Sequence, residues 1–210
     1  MNIPREQITG VLLAGGLGSR MGHIDKGLQP LEDSTLAGMT LRRLEPQVGQ
    51  VLVSANRNLA IYEQFGHPVL QDVLPGHAGP LAGMHAALGA CTTPYLLTVP
   101  CDTPGFPADL ASRLAYALTL ATADLAFAIT GEIANPRLHP VFCLMKKELL
   151  PALDNYLRTG GRKVAGWLLQ QQHAQAHFTD EAAFTNINTP HDLEAFISLF
   201  PLISRHSPSA

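Results

Sequence analysis

Six residues in one short stretch have the types and spacing for phosphate chemistry. Gly15, Gly16, Gly18 and Gly22 follow an apolar run, with Arg20 and Lys26 set among and after them. Glycines let backbone N–H groups approach an anion closely, and two cations offset its charge. The pattern predicts a polyphosphate site, with a triphosphate as the working expectation. A second candidate is Asp102, in Pro100-Cys101-Asp102-Thr103-Pro104 directly after the apolar run Tyr95-Leu96-Leu97-Thr98-Val99. A carboxylate at the C-terminal end of a strand stands where open α/β sheets place their chemistry.

These residues need a scaffold, and hydrophobic periodicity supplies one. Ile8 to Ala14 reads as a buried parallel strand. Leu36, Met39, Thr40, Leu44 and Val48 recur at helical spacing, with Ser34 or Thr35 as N-cap. Strands are expected at 50–56 and 67–72, with a short helix around 59–65 between them. Pro80 opens a helix, since proline suits a first turn. Further strands are expected at 95–99, 124–129 and 138–144, and helices on Leu110, Leu114 and Leu118, on Leu149, Leu153 and Leu157, and on Val164, Trp167 and Leu168. A last strand or two fall within 173–187, and an amphipathic helix at 190–200 closes the pattern. The alternation predicts a three-layer α/β/α, Rossmann-like fold with a mostly parallel sheet.

Composition bounds the possibilities. A chain of 210 residues with 46% hydrophobic residues suits one domain over 1–200, followed by a mobile tail at 201–210. A net charge of −3 gives no footprint for nucleic acid. No apolar run reaches the roughly 18 residues of a membrane span, and the first residues lack a signal-peptide core, so the expected location is cytoplasmic. Cys91, Cys101 and Cys143 lack metal-ligand spacing and are expected to be buried thiols.

Glycine spacing separates the possible phosphate loops. The dinucleotide fingerprint started at Gly16 requires Gly where Met21 stands. A P-loop started at Gly22 reaches Gly27, but Leu28 and Gln29 occupy the positions of its Lys and Ser/Thr. What remains is Leu-x-Ala-Gly-Gly-x-x-x-Arg-Met-Gly-x-x-Asp-Lys. It resembles the signature of the GT-A-like nucleotidyltransferases, and among them most closely the molybdenum cofactor guanylyltransferases. The resemblance extends through Ala55-Asn56-Arg57, Gly79 to Met84, Pro100 to Pro104, His139-Pro140 and Asn186-Ile187-Asn188-Thr189-Pro190.

That resemblance implies transfer of GMP from GTP to the terminal phosphate of molybdenum-bearing molybdopterin, with release of pyrophosphate. It implies GTP contacts at Leu13, Ala14, Gly15, Gly16, Lys26, Ser54, Asp72, Gly83 and Asp102. The family often has Asn at the position of Ser54, so Asn56 is an alternative for that contact. Ala14-Gly15-Gly16 resembles the guanylyl enzymes, whereas cytidylyl relatives tend to carry Ala-Ala-Gly. Arg20, Lys26 and Asp102 are the expected catalytic residues, with Asp102 holding Mg²⁺, or Mn²⁺ in its place. Asn186 and Asn188 resemble the pair that faces molybdopterin, and Arg162 is assigned to the pterin-side phosphate. Recipients of the product would be molybdoenzyme apoproteins or their chaperones.

Other readings of the same residues compete. The glycines alone serve equally well as turns, and Gly79 to Gly83 as a close helix contact. Asp102 suits the N-cap of a following helix, Asp72 a turn, and the two asparagines a cap on the last helix. His139 is expected to be structural. At the level of function, the alternatives are a cytidylyltransferase, a sugar-phosphate nucleotidyltransferase of the same fold, and a non-catalytic molybdopterin carrier.

Overall fold

A computed structural model of the chain describes residues 3–14, 25–31, 33–73 and 79–199. Its strands are β1 (Ile8–Leu13), β2 (Pro30–Leu31), β3 (Ser34–Thr35), β4 (Gln50–Ser54), β5 (Val69–Leu70), β6 (Tyr95–Pro100), β7 (Leu125–Thr130), β8 (Arg137–Lys146) and β9 (His173–His177). Seven of them form one sheet in the order β5-β4-β1-β6-β8-β7-β9. β8 runs antiparallel to both of its neighbours, and the other pairings are parallel. The expected mostly parallel sheet is therefore present.

Helices cover both faces. They are α1 (Leu36–Leu44), α2 (Leu59–Tyr62), α3 (Pro80–Ala90), α4 (Leu110–Leu120), α5 (Leu150–Arg158), α6 (Val164–Leu168) and α7 (Pro190–Leu199). Successive strand residues point to opposite faces, and the core divides accordingly. Ile8, Leu12, Leu97 and Val99 pack with Leu41 and Leu44 of α1 and Leu110 and Leu114 of α4. Val11 and Leu96 pack with Met84 and Leu88 of α3, Leu153 of α5 and Trp167 of α6. Strands buried on both faces are largely apolar, which is why β1, β6 and β7 read as mainly hydrophobic runs, interrupted by buried Thr9, Thr98 and Thr130.

Two details differ from the periodicity. The helical spacing that continued to Val48 stops at Leu44, and Glu45–Gln47 forms a single 3₁₀ turn. Pro46 lacks the N–H that a further α-turn needs. Ser34 and Thr35, both eligible as caps, divide the work: each belongs to β3, and Thr35 Oγ1 accepts from Gly38 N at 3.1 Å. The hairpin of β2 and β3 was not anticipated. With α7 it forms a third apolar cluster, in which Phe196 and Ile187 meet Leu31, Leu36 and Met39. This cluster holds α7 beside the β2–β3 hairpin and α1. The tail expected at 201–210 lies outside the described residues.

Candidate active site

The three central strands end together. Leu13 is in register with Ser54 on one side and Pro100 on the other. Beyond the strands, Ala14 N donates to Ser54 O at 2.8 Å and Cys101 N donates to Leu13 O at 3.0 Å. Leu13, Ala14, Ser54 and Asp102 are thereby gathered on the C-terminal edge of the sheet, the usual ligand side of this architecture. Gly15, Gly16 and Arg20 lie outside the described residues, as do 74–78 of the expected 73–79 loop.

Asp102 and Lys26 meet there. Lys26 Nζ is 3.8 Å from Asp102 Oδ2 and donates a hydrogen bond to Asn188 Oδ1. Asp102 is 17% exposed at its side chain, and burial pushes its carboxyl above the usual carboxylate range, opposed mainly by the charge of Lys26. One ammonium does not fully offset that desolvation. Asp102 caps no helix, because α4 begins only at Leu110.

The asparagines are drawn into the same cluster. Ile187 N donates to Asp102 O at 2.7 Å, which lays the 186–188 segment against residue 102. The Thr103 hydroxyl lies 2.8 Å from Asn186 Oδ1 and 3.4 Å from Asp102 Oδ1; with one proton to give, it favours the shorter contact. The cap of α7 is made by other groups: Thr189 Oγ1 accepts from Asp192 N, and Asp192 Oδ2 accepts from Asn188 N and Thr189 N. The two asparagine side chains are therefore committed to the site rather than to the cap. Both line a cavity of about 420 Å³ together with Pro100, Arg137, Pro140 and Val141.

On the other flank, Asn56 and Asp72 form a reciprocal clasp. Asn56 Nδ2 donates to Asp72 Oδ2 at 2.8 Å, and Asp72 N donates to Asn56 Oδ1 at 2.9 Å. Ser54 is buried beside them, and a Cβ on Gly83 would stand 2.5 Å from Ser54 Oγ and 2.9 Å from Leu13 Cδ2. Gly83 thus has a packing duty at the first turns of α3. Arg162 is not brought to the asparagines: its guanidinium donates to the carbonyls of Leu157 and Gly161, closing the end of α5.

His139 lies under the cavity in a structural setting. Its Nε2 is 2.8 Å from Thr130 Oγ1, its ring stacks on Phe184 at 4.5 Å, and burial, then the charge of Arg137, pushes its pKa down to about 4. The three cysteines are buried and free, as expected. Two residues without a role in the sequence reading, Asp25 and Tyr62, support the Lys26 turn: Asp25 Oδ1 accepts from Gly27 N and from the Tyr62 hydroxyl. An Asp immediately before a short turn was the available signal.

Among the described residues there is no group of three or more His, Cys, Asp or Glu side chains placed to hold a metal. Mg²⁺ is commonly held by one or two carboxylates, phosphate oxygens and water. Asp102 is the residue here that would hold it.

A mostly parallel sheet whose central strands β1, β4 and β6 end together, with Lys26 facing the part-buried Asp102 carboxylate at that edge, is the arrangement of a nucleotidyltransferase of the GT-A-like fold. The sequence model of the family described as MobA-like NTP transferase domain matches residues 10–176. The molybdenum cofactor guanylyltransferase of Cupriavidus necator is 52% identical over 192 residues, covering 91% of this chain and 96% of that protein. The enzyme of the same name from Ralstonia nicotianae is 52% identical over 192 residues, covering 89% and 94%. The chain belongs to the molybdenum cofactor guanylyltransferase family. Solved structures confirm the fold. Molybdopterin-guanine dinucleotide biosynthesis protein A from Archaeoglobus fulgidus superposes with a TM-score of 0.73 at 21% identity, covering 92% of this chain and 98% of that one. A CMP:2-keto-3-deoxy-manno-octonic acid synthetase complexed with CTP gives 0.74 at 12% identity, covering 93% and 99%.

Proposed function

We propose that the protein transfers GMP from GTP to the terminal phosphate of molybdenum-bearing molybdopterin, yielding the guanine dinucleotide form of the cofactor and pyrophosphate, with Mg²⁺ bound. A phosphate oxygen of the acceptor bonds to the α-phosphorus as the bond from that phosphorus to the β-phosphate bridging oxygen breaks. The attacking monoester is already largely ionised near neutral pH, so no general base is assigned. Positioning and charge stabilisation carry such transfers.

One observation carries the reading: Lys26 touches both Asp102 and Asn188. The lysine belongs to the nucleotide loop, the carboxylate to the metal position, and the asparagine to the cavity on the acceptor side. Lys26 holds positive charge where the triphosphate and the incoming phosphate would converge. Asp102 would anchor Mg²⁺, which when bound neutralises phosphate charge and polarises the α-phosphorus. With the Oδ1 atoms of Asn186 and Asn188 engaged by Thr103 and Lys26, their Nδ2 groups are the donors these cavity-lining residues would offer the acceptor. Guanine is favoured by Ala14-Gly15-Gly16 and by the names of relatives at about half identity.

The test is incubation of the protein and Mg²⁺ with the molybdopterin substrate and GTP, CTP or ATP in turn. Pyrophosphate release and the mass of the dinucleotide product are read out. GTP-selective turnover is expected, and turnover with CTP in its place overturns the guanylyl assignment. Among the described residues no helix is long and apolar enough to cross a membrane, in keeping with small-molecule substrates met in solution.

A further inference from the structure

Lys26 is useful only where its ammonium stands, and a buried carboxylate next to it in sequence is tied down from four directions. Asp25 is 8% exposed. Its Oδ1 accepts from Gly27 N at 3.2 Å and from the Tyr62 hydroxyl at 2.8 Å. Its Oδ2 accepts from Asn58 Nδ2 at 3.0 Å and lies 3.7 Å from Arg57 Nε. A buried carboxylate with this many donors has little freedom, and removing one donor leaves charge uncompensated.

The surroundings are shaped to permit it. A Cβ on Gly27 would stand 2.5 Å from the Tyr62 oxygen, so the phenol reaches Asp25 through space that only glycine leaves open. Asn58 adopts the left-handed region, with φ 54° and ψ 31°, as it delivers its amide. Lys26 sits between the two anchored residues, at the start of a 3₁₀ turn closed by Leu28 N to Asp25 O and by Gln29 N to Lys26 O. The backbone is thus held on both sides of Lys26, whose side chain meets Asp102 and Asn188.

The same short segment also reaches the other flank of the site. Asn56, two residues before Asn58, clasps Asp72. One stretch of chain after β4 therefore braces both the Lys26 turn and the Asp72 side.

We infer that Asp25, held by Tyr62 and Asn58, is a positioning residue that fixes Lys26 against the triphosphate. The inference rests on the nucleotide site proposed above. It makes the segment 56–62 part of the phosphate-binding apparatus without contact to the phosphate.

Its test is calorimetric binding of GTP with Mg²⁺ to the full-length chain, with thermal melting measured in parallel. Tyr62→Phe removes one hydroxyl, and Asn58→Ala serves as the second variant should Tyr62→Phe fold poorly. Either is expected to weaken GTP binding by about five- to tenfold, the scale of one lost hydrogen bond. In a Lys26→Ala background the same change is expected to alter affinity less than twofold, because its route to the ligand is gone. A full effect in that background, or none in the parent, overturns the inference. Failure of the parent to bind GTP at all overturns the proposed function, and is told apart by that single measurement.

Discussion

Lys26 donates a hydrogen bond to Asn188 across 162 positions of sequence, and the same ammonium stands 3.8 Å from Asp102. The contact joins the first loop of the fold to the last. It is made possible by α7, whose Phe196 packs with Leu31 and Leu36 of the segment that follows Lys26. Side chains from the early and the late part of the chain are thus assembled around one amine.

Asp102 carries a charge that the fold does not favour, because burial raises its pKa despite Lys26. Asp102→Asn is therefore expected to leave stability unchanged or slightly raised, while pyrophosphate release falls by at least ~100-fold. Thermal melting and turnover on the same preparation check both halves. Near-normal turnover with Mg²⁺ would remove Asp102 from the metal position.

Asn188→Ala deletes the acceptor for Lys26 and one lining group of the cavity. The Michaelis constant for the molybdopterin substrate is expected to rise by about tenfold, the equivalent of one hydrogen bond to a charged partner. The Michaelis constant for GTP should move much less, since Asp102 still holds Lys26. A change confined to GTP would place Asn188 on the nucleotide side.

Much of this was legible in the residues because local chemistry decided it. Buried strands such as Ile8–Leu13 announce themselves as apolar runs, and Asp102 is marked by following one. The asparagine pair was legible as a pair, since i and i+2 share a face, though not as partners of Thr103 and Lys26. The task of Asp25 is not legible locally, because three of the groups that hold it, on Arg57, Asn58 and Tyr62, lie 32 to 37 residues further along the chain. The position of Arg162 after two glycines carries no sign that its guanidinium donates to the carbonyls of Leu157 and Gly161 at the end of α5. The β2–β3 hairpin is not legible because strands of two residues carry no periodicity.

Gly83 faces Ser54 so closely that a methyl group would overlap its hydroxyl and the Leu13 side chain. Gly83→Ala is expected to cost about 1–3 kcal/mol of stability, the range for overpacking a tight contact. Adding Ser54→Gly should return part of that loss, since two of the clashing atoms belong to Ser54. Urea denaturation of the three variants measures the coupling. Equal losses with and without Ser54→Gly would show that the contact is not the cause.

His139 gives the fold a pH dependence of defined sign. Its pKa is 6.5 when unfolded and about 4 in place, pushed down by burial and then by Arg137. Above pH 6.5 neither state holds the proton, and the stability owed to this residue is complete. Between 6.5 and about 4 the unfolded chain gains a proton that the folded chain refuses, so stability falls with falling pH across that window. The full loss is roughly 3 kcal/mol, reached below pH 4. His139→Gln retains a polar partner for Thr130 and has no proton to gain. The gap in unfolding free energy between wild type and His139→Gln should therefore shift in favour of the variant as urea melts are taken from pH 7.5 to 4.5. A gap that stays constant over that range would mean that His139 titrates alike in both states, and that its seat between Thr130 and Phe184 does not exclude the charged ring.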